Sequence, residues 1–526
     1  MAIRVRFAPS PTGQVHIGNI RTAIFNYLFA RHYNGEFLLR IEDTDLERST
    51  PEAIAKLFEC MDYLGLDYDG EVMYQSKQAA SHIAAADELL KKGYAYYGAP
   101  DEEGRKPVFF RIPFDFANFP MIRTVGETEI VLHDGSETTV SASGVSFFSL
   151  TAKGKAAPMA CCLAGLADAR YFDAEGKLIF DTAAVFDRIL NGEQFKFAGA
   201  AKVKFTRHEV TYHDLIKGDM AKPLDGMKDQ IIVRSDSSPV FHLANVVDDI
   251  AQGVTHIVRG DDHVENTYRH VLLFHALGHT LPDYAHMPMI VNAAGKPYSK
   301  RDGDAFVGDF RKKGFLPEAL FNYLSLLGWS PGDDREKMTK QQLIEAFTFD
   351  RVKSSPAQLD MNKLINLNSQ YIAEMKQSDF VDMAYTFYHD ITGEDVAMDA
   401  FKPVAELMQS RTKTLGQVDS WKYFFSEDFS YDQKNCTKHL TNPEIRTALV
   451  EAVNALAQLG DFSPENIAKT IEKTELDHGL SHGKLFQPMR LAVTGVAGGA
   501  DLDKTIALIG REKLAERVNS ALLTFK

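Results

Sequence analysis

Residues 3–48 read IRVRFAPSPTGQVHIGNIRTAIFNYLFARHYNGEFLLRIEDTDLER, and this stretch decides the fold. Ile3, Val5 and Phe7 alternate with Arg4 and Arg6 as the two faces of a strand, and Pro9, Pro11 and Gly13 then stop regular structure. From Gly18 the apolar residues Ile20, Ile24, Tyr27 and Leu28 recur at helical spacing, which predicts a helix to about Arg31 with Asn19 at its N-cap. Asn34-Gly35 turns the chain. Phe37 to Ile41 is a short, nearly all-apolar run of the kind covered on both faces in a parallel sheet. Strand, helix and strand in this order make a βαβ unit and place the chain in the α/β class.

Ligands in such a unit bind beyond the carboxyl ends of the strands, and here those ends carry Pro9 to Gly18 and Glu42-Asp43-Thr44-Asp45. The first loop offers Ser10, Thr12, His16 and the free amides of a helix start, all suited to phosphate. The second offers carboxylates, suited to an ammonium or a metal. Alone, His16 reads as a capped surface histidine and Glu42 to Asp45 as a solvated turn. On consecutive strand ends they describe a site for a ligand with phosphates on one side and an amine on the other.

The run Arg6-Phe-Ala-Pro-Ser-Pro-Thr-Gly-Gln-Val-His-Ile-Gly-Asn19, followed by Leu39-Arg-Ile-Glu-Asp-Thr-Asp45, closely resembles the first signature of class I glutamyl-tRNA synthetases. The family's His-Ile-Gly-His motif stands here as His16-Ile17-Gly18-Asn19. A lone His-x-Gly is weak, whereas two matches at the right separation are specific.

The chain has 526 residues, enough for several domains, and 45% hydrophobic content supplies sizeable cores. Its start, MAIRVRF, has no extended apolar region, and no run approaches the roughly 18 apolar residues of a membrane span, so a soluble cytoplasmic protein is expected. Cys60, Cys161, Cys162 and Cys436 contain no C-x-x-C pair, which indicates neither a disulfide framework nor a zinc ribbon. The net charge of −14 argues against indiscriminate nucleic-acid binding and asks for a local basic face on any RNA partner.

Beyond the first unit, Ser49-Thr50-Pro51-Glu52 starts a helix that ends near Leu64-Gly65, and Ser76 opens another that closes at Lys91-Lys92-Gly93. Residues 100–228 loosen into short strand-like pieces such as Val108 to Ile112 and Lys202 to Phe205, read as an inserted domain. The nucleotide-binding fold resumes at Gln230 to Arg234, turns at Ser235 to Pro239 and continues through Phe241 to Asp249. Val254 to Asp262 is an apolar strand with a polar end, which returns Arg259 and Asp262 to the ligand-bearing edge. Asn266 to Leu277 reads as a helix, Met287 to Val291 as a strand and Asn292 to Gly295 as a turn. Gly295-Lys-Pro-Tyr-Ser-Lys-Arg-Asp-Gly303 then resembles the second class I signature, Lys-Met-Ser-Lys-Ser, with Pro297 at its first lysine. Helices are expected over Pro317 to Leu327, Thr339 to Phe347, Asn442 to Leu459, Ser463 to Glu475 and Leu502 to Leu523.

The resemblance implies a Rossmann-like class I catalytic domain with an inserted α+β acceptor-binding domain, followed by all-α anticodon-binding domains. The corresponding divisions are 1–99, 100–228, 229–310, a linker region 311–375 and an anticodon region 376–526. It implies that Arg6 and Arg259 face the carboxylates of glutamate, that Glu42 takes its ammonium, and that Ala8, Ser10, Phe241 and Asn245 complete that pocket. Phe241 stands where the family usually has tyrosine. Thr12, His16, Gly18, Asp262, Ser299 and Lys300 are implied for ATP, with His16 and Lys300 catalytic. Lys202, Lys204 and Arg207 are candidate RNA contacts. The implied partners are tRNA(Glu), L-glutamate and ATP with Mg²⁺, on a monomer without zinc and without a membrane. The competing readings are charging of tRNA(Gln) as well, glutamate transfer to a modified tRNA base, and a non-catalytic paralogue that binds tRNA or nucleotide.

Overall fold

The computed structural model describes residues 2–11, 13–45 and 48–526. Its opening stretch folds as strand Arg4–Phe7, helix Ile17–His32 and strand Glu36–Ile41, the strands parallel with Arg4 opposite Glu36 and Phe7 opposite Leu39. The turn between helix and second strand needs its Asn-Gly pair. Asn34 adopts a left-handed backbone, and a Cβ on Gly35 would lie 2.4 Å from the Ile3 carbonyl oxygen. The helix cap differs from expectation: His16, not Asn19, is the N-cap, its Nδ1 accepting the Gly18 N–H at 3.0 Å. Asn19 lies within the first turn, where its own N–H already donates to the His16 carbonyl at 3.0 Å.

Met73–Tyr74 adds a third parallel strand beside Glu36–Ile41. On the other side, the Thr255 N–H donates to the Arg4 carbonyl at 2.9 Å and brings the strand His256–Gly260 alongside Arg4–Phe7. His256–Gly260 pairs in parallel with Asp283–Met287, whose Tyr284 stands opposite Asp214 at the end of the strand Lys202–Asp214. The single strand expected over Met287 to Val291 is therefore two, Asp283–Met287 and Ile290–Val291. Between them comes Pro288, which has no N–H for a ladder.

Gln230–Val233 does not join this parallel set. It pairs antiparallel with Val108–Phe110, which pairs with Ala95–Tyr97. This small sheet shares a core of Leu89, Phe110, Ile232, Leu243 and Leu272 with the helices Ala79–Lys91, Phe241–Ala251 and Val264–Ala276. The strand read only to Phe205 runs 13 residues to Asp214, with an irregularity at Arg207/His208 that breaks the alternation on which the reading relied. It pairs antiparallel with Ile122–Val131 and Gly218–Pro223, while Phe195–Phe197, Thr138–Ser141, Gly144–Leu150 and Ala156–Cys161 form a separate four-stranded sheet.

The chain divides into two compact units, one containing residues to Ala305 and Leu324–Leu359, the other Phe306–Tyr323 and Asp360–Lys526. The second is helical around Leu316, Phe380, Trp421, Leu449 and Leu491. Its helices Pro443–Ala457 and Pro464–Asp477 start on proline as read. The helix expected over Leu502 to Leu523 is instead two, Leu502–Ile509 and Arg511–Thr524, split by Gly510 at φ 89, a backbone that other residues rarely adopt. No described helix is long and apolar enough to cross a membrane.

Candidate active site

A cavity of about 640 Å³ opens at the carboxyl ends of Arg4–Phe7, Glu36–Ile41 and His256–Gly260. Arg6, Ala8, Ser10, His16, Gly18, Glu42, Phe241, Asn245, Arg259 and Asp262, all singled out in the sequence, line it together. Ser299 and Lys300 do not line it, although their neighbours Pro297 and Tyr298 do. Thr12 lies outside the described residues.

On one side the helix Ile17–His32 presents its N-terminus to the cavity. His16 caps it through Nδ1, and the ring also hydrogen-bonds the Tyr298 backbone, so one side chain joins the first signature to the second. Burial lowers the His16 pKa against that bond to Tyr298, which leaves the imidazole neutral at neutral pH. The Ile17 N–H donates to the Ala305 carbonyl at 2.9 Å, a second tie to the loop beyond the lysine signature. In that loop Ser299 is turned away from the cavity: its N–H and hydroxyl both donate to Asp302 at 2.9 Å, and Asn292 donates to the same carboxylate at 2.7 Å.

On the other side four charged groups meet in a space nearly closed to water. The Arg6 guanidinium, 4% exposed, forks onto Asp249 at 2.9 and 3.2 Å, and Arg40 donates to the same carboxylate at 2.5 Å. Burial alone would raise the Asp249 pKa, but Arg40 and Arg6 hold it below its usual value. Arg40 also reaches Glu42 Oε1 at 3.2 Å, and the Asn245 amide donates to that oxygen at 3.0 Å. Asn245 Oδ1 is buried without a hydrogen-bond partner among the described residues. Phe241, Asn245 and Asp249 stand four residues apart on Phe241–Ala251, which is why one helix face supplies three groups to the site.

Arg259 is different. It is 6% exposed, and among the described residues no carboxylate pairs with it. Its donors meet neutral acceptors: Thr267 Oγ1 at 2.6 Å, His286 Nε2 at 3.3 Å, and His270 Nδ1 and the His263 carbonyl at 3.4 Å. Burial pulls its pKa down to about 10, so the group stays charged at neutral pH. Burial likewise lowers His263, His270 and His286, and takes His242 to about 4, so the surrounding imidazoles are neutral. An unpaired buried cation is costly, and its presence at a cavity wall calls for an anion.

The description "tRNA synthetases class I (E and Q), catalytic domain" matches residues 2–105 and 191–366, and "Anticodon binding domain" matches 378–522. The chain is 34% identical over 524 residues to the glutamate–tRNA ligase of Neisseria meningitidis serogroup C, covering 99% of this chain and 100% of that one. The chain belongs to the glutamate–tRNA ligase family. Glutamate–tRNA ligase 2 of Thermoanaerobacter pseudethanolicus is 31% identical, with 99% and 98% covered. A crystal structure of a glutamate tRNA ligase from Elizabethkingia meningosepticum, described as in complex with its amino acid, superposes with a TM-score of 0.71 over 100% of both chains at 26% identity.

For a member of this ligase family, two substitutions in the pocket stand out. Phe241 packs its ring 5.6 to 5.9 Å from His242, His263 and His270, an apolar face among neutral imidazoles. Pro297 lines the cavity where the family signature has a lysine. Sequence reasoning missed Arg40, Asp249, Asp214, Thr267 and the histidines. Two of these left a signal: Arg40 is the one charge in the apolar run Phe37 to Ile41, and Asp249 stands one turn beyond Asn245 in the largely apolar helix Phe241–Ala251. Charges so placed require each other. The candidate RNA contacts are paired with carboxylates, Arg207 forked onto Asp225 at 2.8 and 3.1 Å and Lys202 and Lys204 beside Glu129 at 3.5 and 3.6 Å.

Proposed function

We propose that the chain activates L-glutamate with ATP and transfers the glutamyl group to the 3′ end of tRNA(Glu). An oxygen of the α-carboxylate attacks the α-phosphate, the bond to the bridging oxygen breaks and pyrophosphate leaves. A terminal ribose hydroxyl then attacks the acyl carbon, loses its proton, and AMP departs with the bonding electrons. No side-chain nucleophile is needed; positioning and charge stabilisation do the chemistry.

The observation that carries this reading is Arg259, a buried cation with no carboxylate paired directly to it among the described residues, in one cavity with Glu42, whose carboxylate is held by Arg40 and Asn245. An amino acid with a second carboxylate fits both ends. Its ammonium meets Glu42 and the orphaned Asn245 Oδ1, and its γ-carboxylate meets Arg259. Arg6, already shared with Asp249, orients the α-carboxylate side rather than neutralising it. Glutamine would leave Arg259 unpaired, and a site built on such contacts discriminates by about 10⁴-fold or more. Ala8 and Ser10 line the same pocket. Phosphates are received at the N-terminus of the helix Ile17–His32, beside neutral His16, while Asp262 serves the nucleotide.

Ser299 and Lys300 complete the site by closure of their loop over ATP, a movement flanked by Gly295 and Gly303, both at positive φ. Bound Mg²⁺ would supply charge neutralisation for the ATP phosphates. The insertion takes the acceptor end of the tRNA. In this reading the chain acts as a monomer.

The test is ATP–pyrophosphate exchange with and without tRNA. Exchange driven by glutamate and absent with glutamine is expected. Exchange driven by glutamine redirects the substrate, and none with cognate tRNA and Mg²⁺ leaves a non-catalytic paralogue. Paired aminoacylation of tRNA(Glu) and tRNA(Gln) decides whether both are charged.

A further inference from the structure

We infer that Asp214, His286 and Thr267 form a positioning relay that holds the Arg259 guanidinium for the substrate's side-chain carboxylate and so sets the discrimination of glutamate from glutamine. The inference rests on the glutamate reading above and extends it to residues that touch no substrate.

Asp214 ends the strand Lys202–Asp214 and His286 lies on the neighbouring strand Asp283–Met287; both side chains are fully buried. The carboxylate is fixed first. Its Oδ1 accepts the N–H groups of Ile216 and Lys217 at 2.9 Å, and its Oδ2 accepts the His286 N–H at 3.1 Å. Oδ2 then stands 2.5 Å from His286 Nδ1. A carboxylate only accepts, so Nδ1 carries the proton and the Nε2 lone pair is left facing outward. That lone pair meets Arg259 Nε at 3.3 Å and Thr267 Oγ1 at 2.9 Å, while Thr267 Oγ1 also takes Arg259 Nη2 at 2.6 Å.

The arrangement separates orientation from neutralisation. Arg6 lies directly on Asp249 and has its charge answered within the protein. Arg259 has its carboxylate one imidazole away. Asp214 dictates where the guanidinium points through the His286 tautomer, yet leaves the charge available to a ligand. Reversing that tautomer would set an N–H of His286 against the Nε–H of Arg259, donor against donor, and push the guanidinium out of register.

Asp214→Asn keeps the volume and the Oδ1 acceptor but presents an N–H to Nδ1, so it reverses the tautomer. In tRNA-stimulated pyrophosphate exchange by the full chain, D214N is expected to raise the glutamate KM by about 10–100-fold, as for one lost charge-assisted hydrogen bond. The ATP KM should stay within about twofold and the glutamate-to-glutamine ratio of kcat/KM should fall. Thr267→Val removes one acceptor without changing charge and should move the same quantities less. An unchanged glutamate KM in both variants, or equal changes in the glutamate and ATP KM values, overturns the relay. Should D214N not fold, T267V decides on the same readout. A wild-type chain without glutamate-dependent exchange overturns the substrate reading itself, an outcome distinct from active wild type with unaffected variants.

Discussion

Arg259 sets function against stability at a single residue. Replacing it by methionine keeps much of the volume, removes a buried charge that has no paired carboxylate among the described residues, and leaves Thr267 hydrogen-bonded to His286 and His270 to His242. Arg259→Met is expected to lower glutamate kcat/KM by about 10³-fold, yet to raise the melting temperature of the ligand-free protein by a few degrees. Paired kinetics and thermal unfolding check this; a lower melting temperature would mean that the neutral acceptors already compensate the charge. Phe241 offers the opposite experiment. Restoring the family's hydroxyl with Phe241→Tyr should lower the glutamate KM by up to about tenfold, the range of one neutral hydrogen bond. No change in KM would show that the three histidines around the ring leave that hydroxyl no useful partner.

At the scale of elements, the βαβ unit was legible because its strands and helix are short, strongly patterned and set off by turn residues. Ten site residues could be named because several stand at strand ends, where ligands of such a unit bind, and the resemblance to the family's signatures implied the others. Lys202–Asp214 was cut short because its bulge breaks the alternation, and Asp214 went unseen with it. The split of the last helix hinges on Gly510, which inside an apolar pattern reads as a tolerated interruption until its φ of 89 is known. The helix Phe486–Thr494 ends likewise on Gly495, at φ 78, where a Cβ would meet the Ser430 carbonyl oxygen at 2.4 Å. Gly495→Ala should therefore cost about 2 kcal/mol or more in chemical denaturation. In the small sheet, Asp229 accepts the Ile112 N–H at 3.0 Å and the Tyr96 hydroxyl at 3.1 Å, and burial pushes its pKa from 3.8 up to about 6. The native state thus keeps this proton at pH values where the unfolded chain has released it. The resulting stability is complete below the unfolded pKa and is lost as pH rises through about 6. Between pH 5 and pH 8 the loss is about 1.4 kcal/mol. Asp229→Asn should remove that part of the pH slope of the urea midpoint; an unaltered slope would place the titration elsewhere.

At the scale of the molecule, the chain passes between its units after Ala305, Tyr323 and Leu359, so the helical unit is not a simple C-terminal module. Its first piece depends on much later residues: Leu316 N–H donates to Asn368 at 2.7 Å, and the Leu415 and Gly416 N–H groups donate to the Gly314 and Lys313 carbonyls. A chain ended at Leu359 should therefore aggregate in size-exclusion chromatography, and adding Leu316→Glu should return it towards a monomer; equal solubility of the two would show that residues 306–323 find other cover. The same interleaving governs birth on the ribosome. Leu316 emerges about 200 residues ahead of Phe525, which closes the same core, and at 5–20 residues per second the wait is about 10–40 s. During that interval an apolar segment travels uncovered, which makes this nascent chain a natural client for chaperones and makes its yield sensitive to the speed of translation.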